Sequence, residues 1–401
     1  MRSLFLTVVG VLAVTSCQRS PGGRSEPTVT PRETDLLWAS PELTGLVVGQ
    51  ALPTCDSRGA RALEAARRYY EREEYVAALS CAAQATAQTP EDPQAHSERG
   101  AALAALGRTD EATLAYARAL ALDPDQLDAL LGAGHLFGVT LPSSRERDEL
   151  AALYAERGFV LAQRRQHRRL LGDFALLSAM VFNDLGQAED ALLRAGQAMR
   201  LSPQSHEAAY ERAVALFELC RFAEAKKAFA SLVDAGAHAA GANHHLGLLL
   251  EREGKWKLAE QHFERSRILA PKEFVEPHRI TEEAFRAEVS KAVAALPSDM
   301  RRDLEGIPVT AEELPKDDDL LGDTPSLSPT ILGLFRGPSL AEPCSAQAPY
   351  PCRAIALYRR NLARAAQTRA QFVQQVRVTL LHEVGHLRGE DDFELAARGL
   401  E

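Results

Sequence analysis

Val376-Arg-Val-Thr-Leu-Leu-His-Glu-Val-Gly-His-Leu-Arg-Gly-Glu-Asp-Asp392, close to the C-terminal end, is the stretch from which the rest of the chain is read. At helical spacing it has two faces. Val373, Val376, Leu380, Val384 and Leu387 recur at intervals of three and four, predicting a core-facing stripe. Gln375, Thr379, His382 and His386 fall on another stripe. The two histidines are one turn apart, about 5.4 Å along the axis, so both imidazoles point the same way. This is the H-E-x-x-H arrangement: two nitrogen ligands for one zinc ion, with Glu383 on the same turn to hold a water. Gly389 is placed to end the helix, because glycine accepts the left-handed conformation of a sharp C-terminal turn. The turn allows Asp392 to return as a third, oxygen ligand and leaves the fourth position open. Its acidic neighbours Glu390 and Asp391 are expected to point elsewhere.

Upstream segments extend the pattern. Val289 to Pro297 reads as a helix and Ile307-Pro-Val309 as a short strand, while Ile331 to Gly337 and Ile355 to Leu362 contain further strand segments. With H-E-x-x-H-x-x-G-x-x-D, residues 281–401 resemble the small zincin-like metallopeptidases, the minimal zincins. The resemblance implies Zn2+ as cofactor, His382, His386 and Asp392 as metal ligands, Glu383 as general base, and a peptide or protein as substrate. Leu387-Arg388 departs from the family, which often carries a histidine and an aromatic there, and is expected to alter the pocket wall. A second departure is the insertion Glu342 to Cys352. Pro308 places the Ile307–Thr310 strand at a sheet edge. Glu312 to Asp323, including Asp317-Asp-Asp319, has no EF-hand spacing and reads as a solvated loop. The Ile355 strand is expected to align substrate by main-chain pairing, and Tyr358 or Arg359 to assist the oxyanion.

At 401 residues the chain is too long for one such domain. Its 46 basic and 55 acidic side chains give net −9, with no basic excess that would favour nucleic acid as a partner. Arg2 followed by the apolar run Leu4–Val14 makes a targeting segment too short to span a bilayer. Val14-Thr-Ser-Cys17 resembles the lipobox of bacterial lipoproteins. That resemblance implies a signal peptide over residues 1–17, lipidation of Cys17, and a membrane anchor in the cell envelope. Gln18 after the cysteine favours the outer membrane, facing the periplasm. Residues 18–54 read as a flexible tether, rich in Pro, Ser, Gly and Arg at its start.

Export makes disulfides available. Cys344 and Cys352 bracket a proline-rich loop that a bridge would pin, and Cys55 with Cys81 could staple the chain's entry onto the first helical pair. Cys220 is left over, at a position read as helical, where a buried free thiol is expected.

Self-similarity at 34 residues runs from about Gly59 to Glu273. With Pro93 as position one, Gly100, Leu103, Ala112, Tyr116, Ala119 and Pro124 fall at positions 8, 11, 20, 24, 27 and 32. The pattern resembles the tetratricopeptide (TPR) consensus, in which small residues let paired helices approach and large ones fill the gap. The preceding unit carries Ala66, Tyr69, Ala78, Ala82, Ala85 and Pro90, and three later units run in tandem from Ala179 to Pro271. Leu127 to Leu171 begins as a repeat and departs, with about eleven extra residues. Asn243-His-His245 and the basic cluster Arg164–Arg169 read as solvated helix faces.

The expected fold is therefore multidomain: an all-α TPR solenoid over residues 55–275, then a small α+β zincin-like domain over 281–401. The expected function is that of a membrane-anchored zinc metallopeptidase. Glu-assisted attack of water would hydrolyse peptide bonds, and the concave face of the repeats would recruit a protein partner. The alternative is an envelope scaffold or adaptor lipoprotein whose terminal domain is structural or catalytically silent.

Overall fold

A helix of mostly 12 to 14 residues, a tight turn and a returning helix recur through much of the chain. The computed structural model describes residues 54, 55, 57, 60–322, 324–345 and 351–400. The signal segment, Cys17 and nearly all of the expected tether lie outside them. The chain divides into two compact units at Ser205.

The first unit is helical: α1 (Ala60–Glu71), α2 (Tyr75–Gln88), α3 (Pro93–Ala105), α4 (Thr109–Leu122), α5 (Leu127–His135), α6 (Arg145–Arg164), α7 (Arg168–Asp184) and α8 (Ala188–Leu201). Close helix approach explains the small residues. A Cβ on Gly100 or Gly132 would stand 2.8 or 2.5 Å from the Tyr116 ring, and one on Gly158 would stand 2.1 Å from Phe174. The turn between paired helices needs one left-handed residue, found at Glu73 and Gly107 and again at Gly186, Cys220 and Gly254, spaced by the repeat length. The irregular repeat has a physical form: α5 runs into a π-helical turn, Leu136–Thr140, and α6 is twenty residues long. Arg164–Arg169 is exposed and spans the α6–α7 turn. Cys55 pairs with Cys81, Cα atoms 4.9 Å apart, against Ala65, Ala66 and Ala82.

The second unit begins with two more helical pairs, α9 (His206–Glu218) with α10 (Phe222–Asp234) and α11 (Ala239–Arg252) with α12 (Trp256–Leu269). It continues through α13 (Glu282–Ala294), α14 (Ser298–Asp303), β1 (Val309–Glu312), α15 (Asp317–Leu320), β2 (Gly333–Arg336), β3 (Ala354–Tyr358), α16 (Arg359–Arg364), α17 (Arg369–Arg388) and α18 (Asp392–Ala397). The sheet order is β1-β3-β2, with β1 parallel and β2 antiparallel to β3. Ile355 and Leu357 of β3 join Phe285, Val289, Leu296 and Met300 in one core with α17. Pro308 indeed precedes an edge strand. β3 is the central strand, so the expectation that it aligns substrate is overturned: both its edges are already paired.

Charge joins the last repeat to the sheet domain. Glu251 of α11, 6% exposed, receives Arg364 of α16, and Arg360 reaches the same carboxylate at 3.2 Å. Arg360 also lies 4.6 Å over the Trp256 ring, and Arg252 pairs with Asp317. Asp317-Asp-Asp319 is solvated at Asp317 and Asp318, as expected, but it is not a loop. It forms α15, whose Asp319 accepts two hydrogen bonds from Arg336. Asn243-His-His245 is not a solvated face either: Asn243 and His245 are buried, and His245 stacks 4.5 Å from Phe229 while its Nδ1 donates to the Gly241 carbonyl. A repeat helix packed on both sides has no solvated stripe at that position. Cys220 is not helical; it is the half-buried left-handed turn residue after α9, its Sγ 3.7 Å from the Leu327 carbonyl.

Candidate metal centre

The metal helix is built to be immobile. Thr368 and Gln371 cap α17 reciprocally, each side chain accepting the other's backbone N–H. Phe372, Val376, Leu380, Val384 and Leu387 are fully buried in the domain core. At about 1.5–3 kcal/mol for each such side chain, the stripe holds the helix with roughly 10 kcal/mol of burial. Phe372 takes the first place of the stripe, and Val373 is only half-buried. Leu387 belongs to this core and forms no pocket wall, while Arg388 is paired with Asp299 and Asp303.

On the other face His382 and His386 bring their Nε2 atoms 2.9 Å apart. Gly389, at φ 92°, closes the helix, and the Glu390 N–H returns to the Gly385 carbonyl at 3.0 Å. Asp391 then caps α18 with Glu394 in a reciprocal box, and Glu390 pairs with Arg398. Asp392, the first residue of α18, is left to face the histidines, its Oδ1 3.6 Å from His382 Nε2 and 3.3 Å from His386 Nε2.

Hydrogen bonding on the far side of each ring decides what this cluster can hold. His382 Nδ1 lies 2.5 Å from the Leu400 carbonyl and His386 Nδ1 lies 3.0 Å from the Glu390 carbonyl. A carbonyl oxygen only accepts, so both Nδ1 atoms carry the proton and both Nε2 atoms present lone pairs. Two lone pairs and a carboxylate oxygen then converge on one point, which is repulsive unless a cation sits among them. Tetrahedral bonds of about 2.0–2.2 Å would separate ligand atoms by roughly 3.3–3.6 Å. The two distances to Asp392 fall in that range, and the distance between the two Nε2 atoms is shorter. An N2O donor set with carbonyl-anchored imidazoles fits zinc. The Asp392 side chain is 79% exposed, so the cluster opens outward.

Glu383 follows His382 on the same helix and lies close enough to the cluster to feel the Asp392 charge. It is 6% exposed, and burial pushes its carboxyl up to about 8; the Phe335 N–H, which it accepts, lowers it, and the Asp392 carboxylate raises it further. Phe335 lies on β2, which packs so closely on α17 that a Cβ at Gly333 would be 2.7 Å from Thr379 and 2.8 Å from Glu383 Oε1. Tyr358 N–H donates to the Leu332 carbonyl at 2.9 Å, so residues 332, 334 and 336 bond to β3. Gly333 and Phe335 therefore turn their main-chain groups to the free edge, above Glu383. Arg336 braces this strand: it reaches both Glu312 and Asp319, and its Nη2 stands 3.4 Å from the Tyr358 hydroxyl. Neither expected oxyanion residue faces the histidines. Tyr358 is fully buried, and Arg359 is held by Glu313 and the Ile280 carbonyl. Cys344 pairs with Cys352 beyond the end of β2, Cα atoms 6.2 Å apart. Sequence reasoning missed Phe335, Arg336 and the Leu400 carbonyl. An arginine after an aromatic in a short strand was the single available signal for the second; a main-chain group leaves none.

Comparison with known proteins finds two families along the chain. Residues 304–400 match the family model of the zincin-like metallopeptidases, and residues 63–126 and 219–274 match that of the tetratricopeptide repeat. No curated protein matches the chain. Among solved structures, PilF of Pseudomonas aeruginosa is similar at 17% identity and TM-score 0.44, over 57% of this chain and 96% of its own. PilW, a type IV pilus biogenesis factor, is similar at 18% identity and TM-score 0.44, over 53% and 94%. YrrB, a TPR protein with an unusual peptide-binding site, is similar at 21% identity and TM-score 0.37, over 48% and 93%. The chain is a TPR-like helical array followed by a small zincin-like domain with a three-stranded sheet.

Proposed function

We propose that the protein is a zinc-dependent peptidase of the bacterial cell envelope, lipid-anchored through Cys17 in the outer membrane, whose repeats recruit a protein substrate or partner. The carrying observation is the convergence of the His382 and His386 lone pairs with Asp392 on one point beside a buried glutamate. When bound there, zinc would supply positive charge that acidifies a water and polarises a scissile carbonyl. His382, His386 and Asp392 hold that charge. Substrate in an extended form pairs with the Gly333 and Phe335 main chain at the free edge of β2, displacing Glu383 from the Phe335 N–H. The freed Glu383 carboxylate takes the proton of the attacking water on one oxygen and delivers it to the departing amine. Its burial excludes competing solvent, and positive charge in the site lowers its affinity for protons towards neutral pH, where a general base works best. Arg336 keeps the strand, and hence the substrate, in register. The C-terminal ends of α9 and α11 are engaged by the sheet domain, so recruitment is assigned to the repeats of residues 60–201.

Glu383→Gln tests this. It preserves size and a hydrogen-bonding oxygen but cannot take a proton at neutral pH. The variant is expected to keep about one zinc per chain and to lose hydrolysis of a peptide pool by about 10²–10⁴-fold. Wild-type protein loaded with zinc whose digestion products match those of the variant would refute the reading.

A further inference from the structure

Gly385, the last of the three residues between the two histidines, faces neither the core stripe nor the metal. A Cβ built there would stand 2.3 Å from Leu395 Cδ2. Leu395 is fully buried and is the inward residue of α18. The glycine is therefore a notch in the metal helix, and one leucine fills it.

What that seat fixes is unusual for its size. Asp392 lies one turn before Leu395 on α18. The Leu400 N–H donates to the Leu395 carbonyl at 3.1 Å, and the Leu400 side chain is buried. The Leu400 carbonyl is thereby presented to His382 Nδ1 at 2.5 Å. On the other side of the seat, the Gly385 carbonyl accepts from the Glu390 N–H, and the Glu390 carbonyl accepts from His386 Nδ1–H. The third ligand and the acceptors that orient both imidazoles thus all come from residues 390–400, and this segment meets α17 at the Gly385–Leu395 contact.

We propose that Gly385 and Leu395 are positioning residues for the metal centre: a size-matched seat that docks residues 390–400 on α17 and so sets Asp392 and the two histidine rings. The proposal rests on the metal-centre reading above.

A helix-interior glycine is less favourable than alanine to the helix itself. Were Gly385 only a helical residue, Gly385→Ala would leave the metal-free protein as stable or more so and zinc binding unchanged. The seat predicts a loss instead. Orienting partners of metal ligands typically contribute about 10–100-fold in affinity, so Gly385→Ala in the full chain should weaken zinc binding by that order, measured by competition with a chromophoric chelator. Circular dichroism and thermal melting of the metal-free forms report the fold. Leu395→Ala, which empties the seat and adds no clash, should weaken zinc binding about tenfold. Gly385→Ala/Leu395→Ala, which swaps the two sizes, should regain most of the affinity lost by Gly385→Ala. Wild-type affinity in Leu395→Ala, or no recovery in a folded double variant, would overturn the proposal. If Gly385→Ala does not fold, the Leu395→Ala affinity alone decides. A wild-type chain that binds no zinc would refute the metal-centre reading instead, so the two failures are told apart.

Discussion

Glu251→Gln should unfold the second unit at a markedly lower temperature, although residue 251 is remote in sequence from the metal helix. The Glu251 and Arg364 side chains meet at 6% and 11% exposure. Apart from Glu251, Arg364 has the Asn361 Oδ1 at 2.9 Å and the Phe263 ring at 5.4 Å, neither of which carries charge. The glutamine keeps the shape and removes the countercharge, leaving a guanidinium buried and uncompensated. Breaking a buried pair from one side costs about 3–5 kcal/mol. A domain has about 5–15 kcal/mol of net stability, so this is a large fraction. With about 2–4 °C per kcal/mol for 150–250 residues, the shift should be roughly 6–20 °C. Arg360 softens the loss little, because it is one-third exposed and has Glu313 as a second partner at 3.0 Å. The sign reverses if both members of the pair are replaced. Glu251→Met/Arg364→Met exchanges two desolvated charges for apolar volume and should melt at or above wild type. Thermal unfolding followed by circular dichroism, with urea titration for the free energy, measures both. A Glu251→Gln loss under about 1 kcal/mol would place the pair in the surface class and refute the argument. So would a double variant as unstable as the single one.

Three further outcomes are expected. Asp392→Ala should weaken zinc binding by at least about tenfold with the fold retained, whereas Asp391→Ala should lose a helix cap, about 1 kcal/mol, and keep the metal; zinc competition and melting separate the two. Burial holds the His245 imidazole down at about 4, against an ordinary value of 6.5, so the unfolded chain takes up its proton first as pH falls. Stability should therefore drop from about pH 6.5 down to about 4, by up to roughly 3 kcal/mol. His245→Gln should flatten that slope between pH 6.5 and 5.5 in melts of the two proteins. Peptide mapping without reduction should recover Cys344 linked to Cys352 and Cys55 linked to Cys81, and free thiols at these positions would remove the staples from the account.

Local rules carried much of the reading. The 34-residue period, the H-E-x-x-H spacing, the glycine that ends α17 and the proline that consigns β1 to an edge all depend on neighbours within a few turns. Such neighbours are visible in one dimension. The proposed ligand set is of the same kind, because Gly389 turns the chain back within six residues of His386. What the sequence could not disclose depends on partners far along the chain or on main-chain atoms. The acidic run Asp317–Asp319 looked like an unpaired loop because Arg252 and Arg336, which pair with Asp317 and Asp319, come from α11 and β2. His244-His245 looked like a surface pair because nothing local says that Phe229 and Phe274 cover the two rings. The strand richest in apolar residues drew the substrate role, yet an apolar run marks a strand buried between two neighbours and so one with no free edge. The tautomers of both histidines rest on the carbonyls of Glu390 and Leu400. Every residue has a carbonyl, so its identity letter says nothing about where that oxygen points. That direction is set by tertiary packing, for which the seat of Leu395 against Gly385 is the proposed cause.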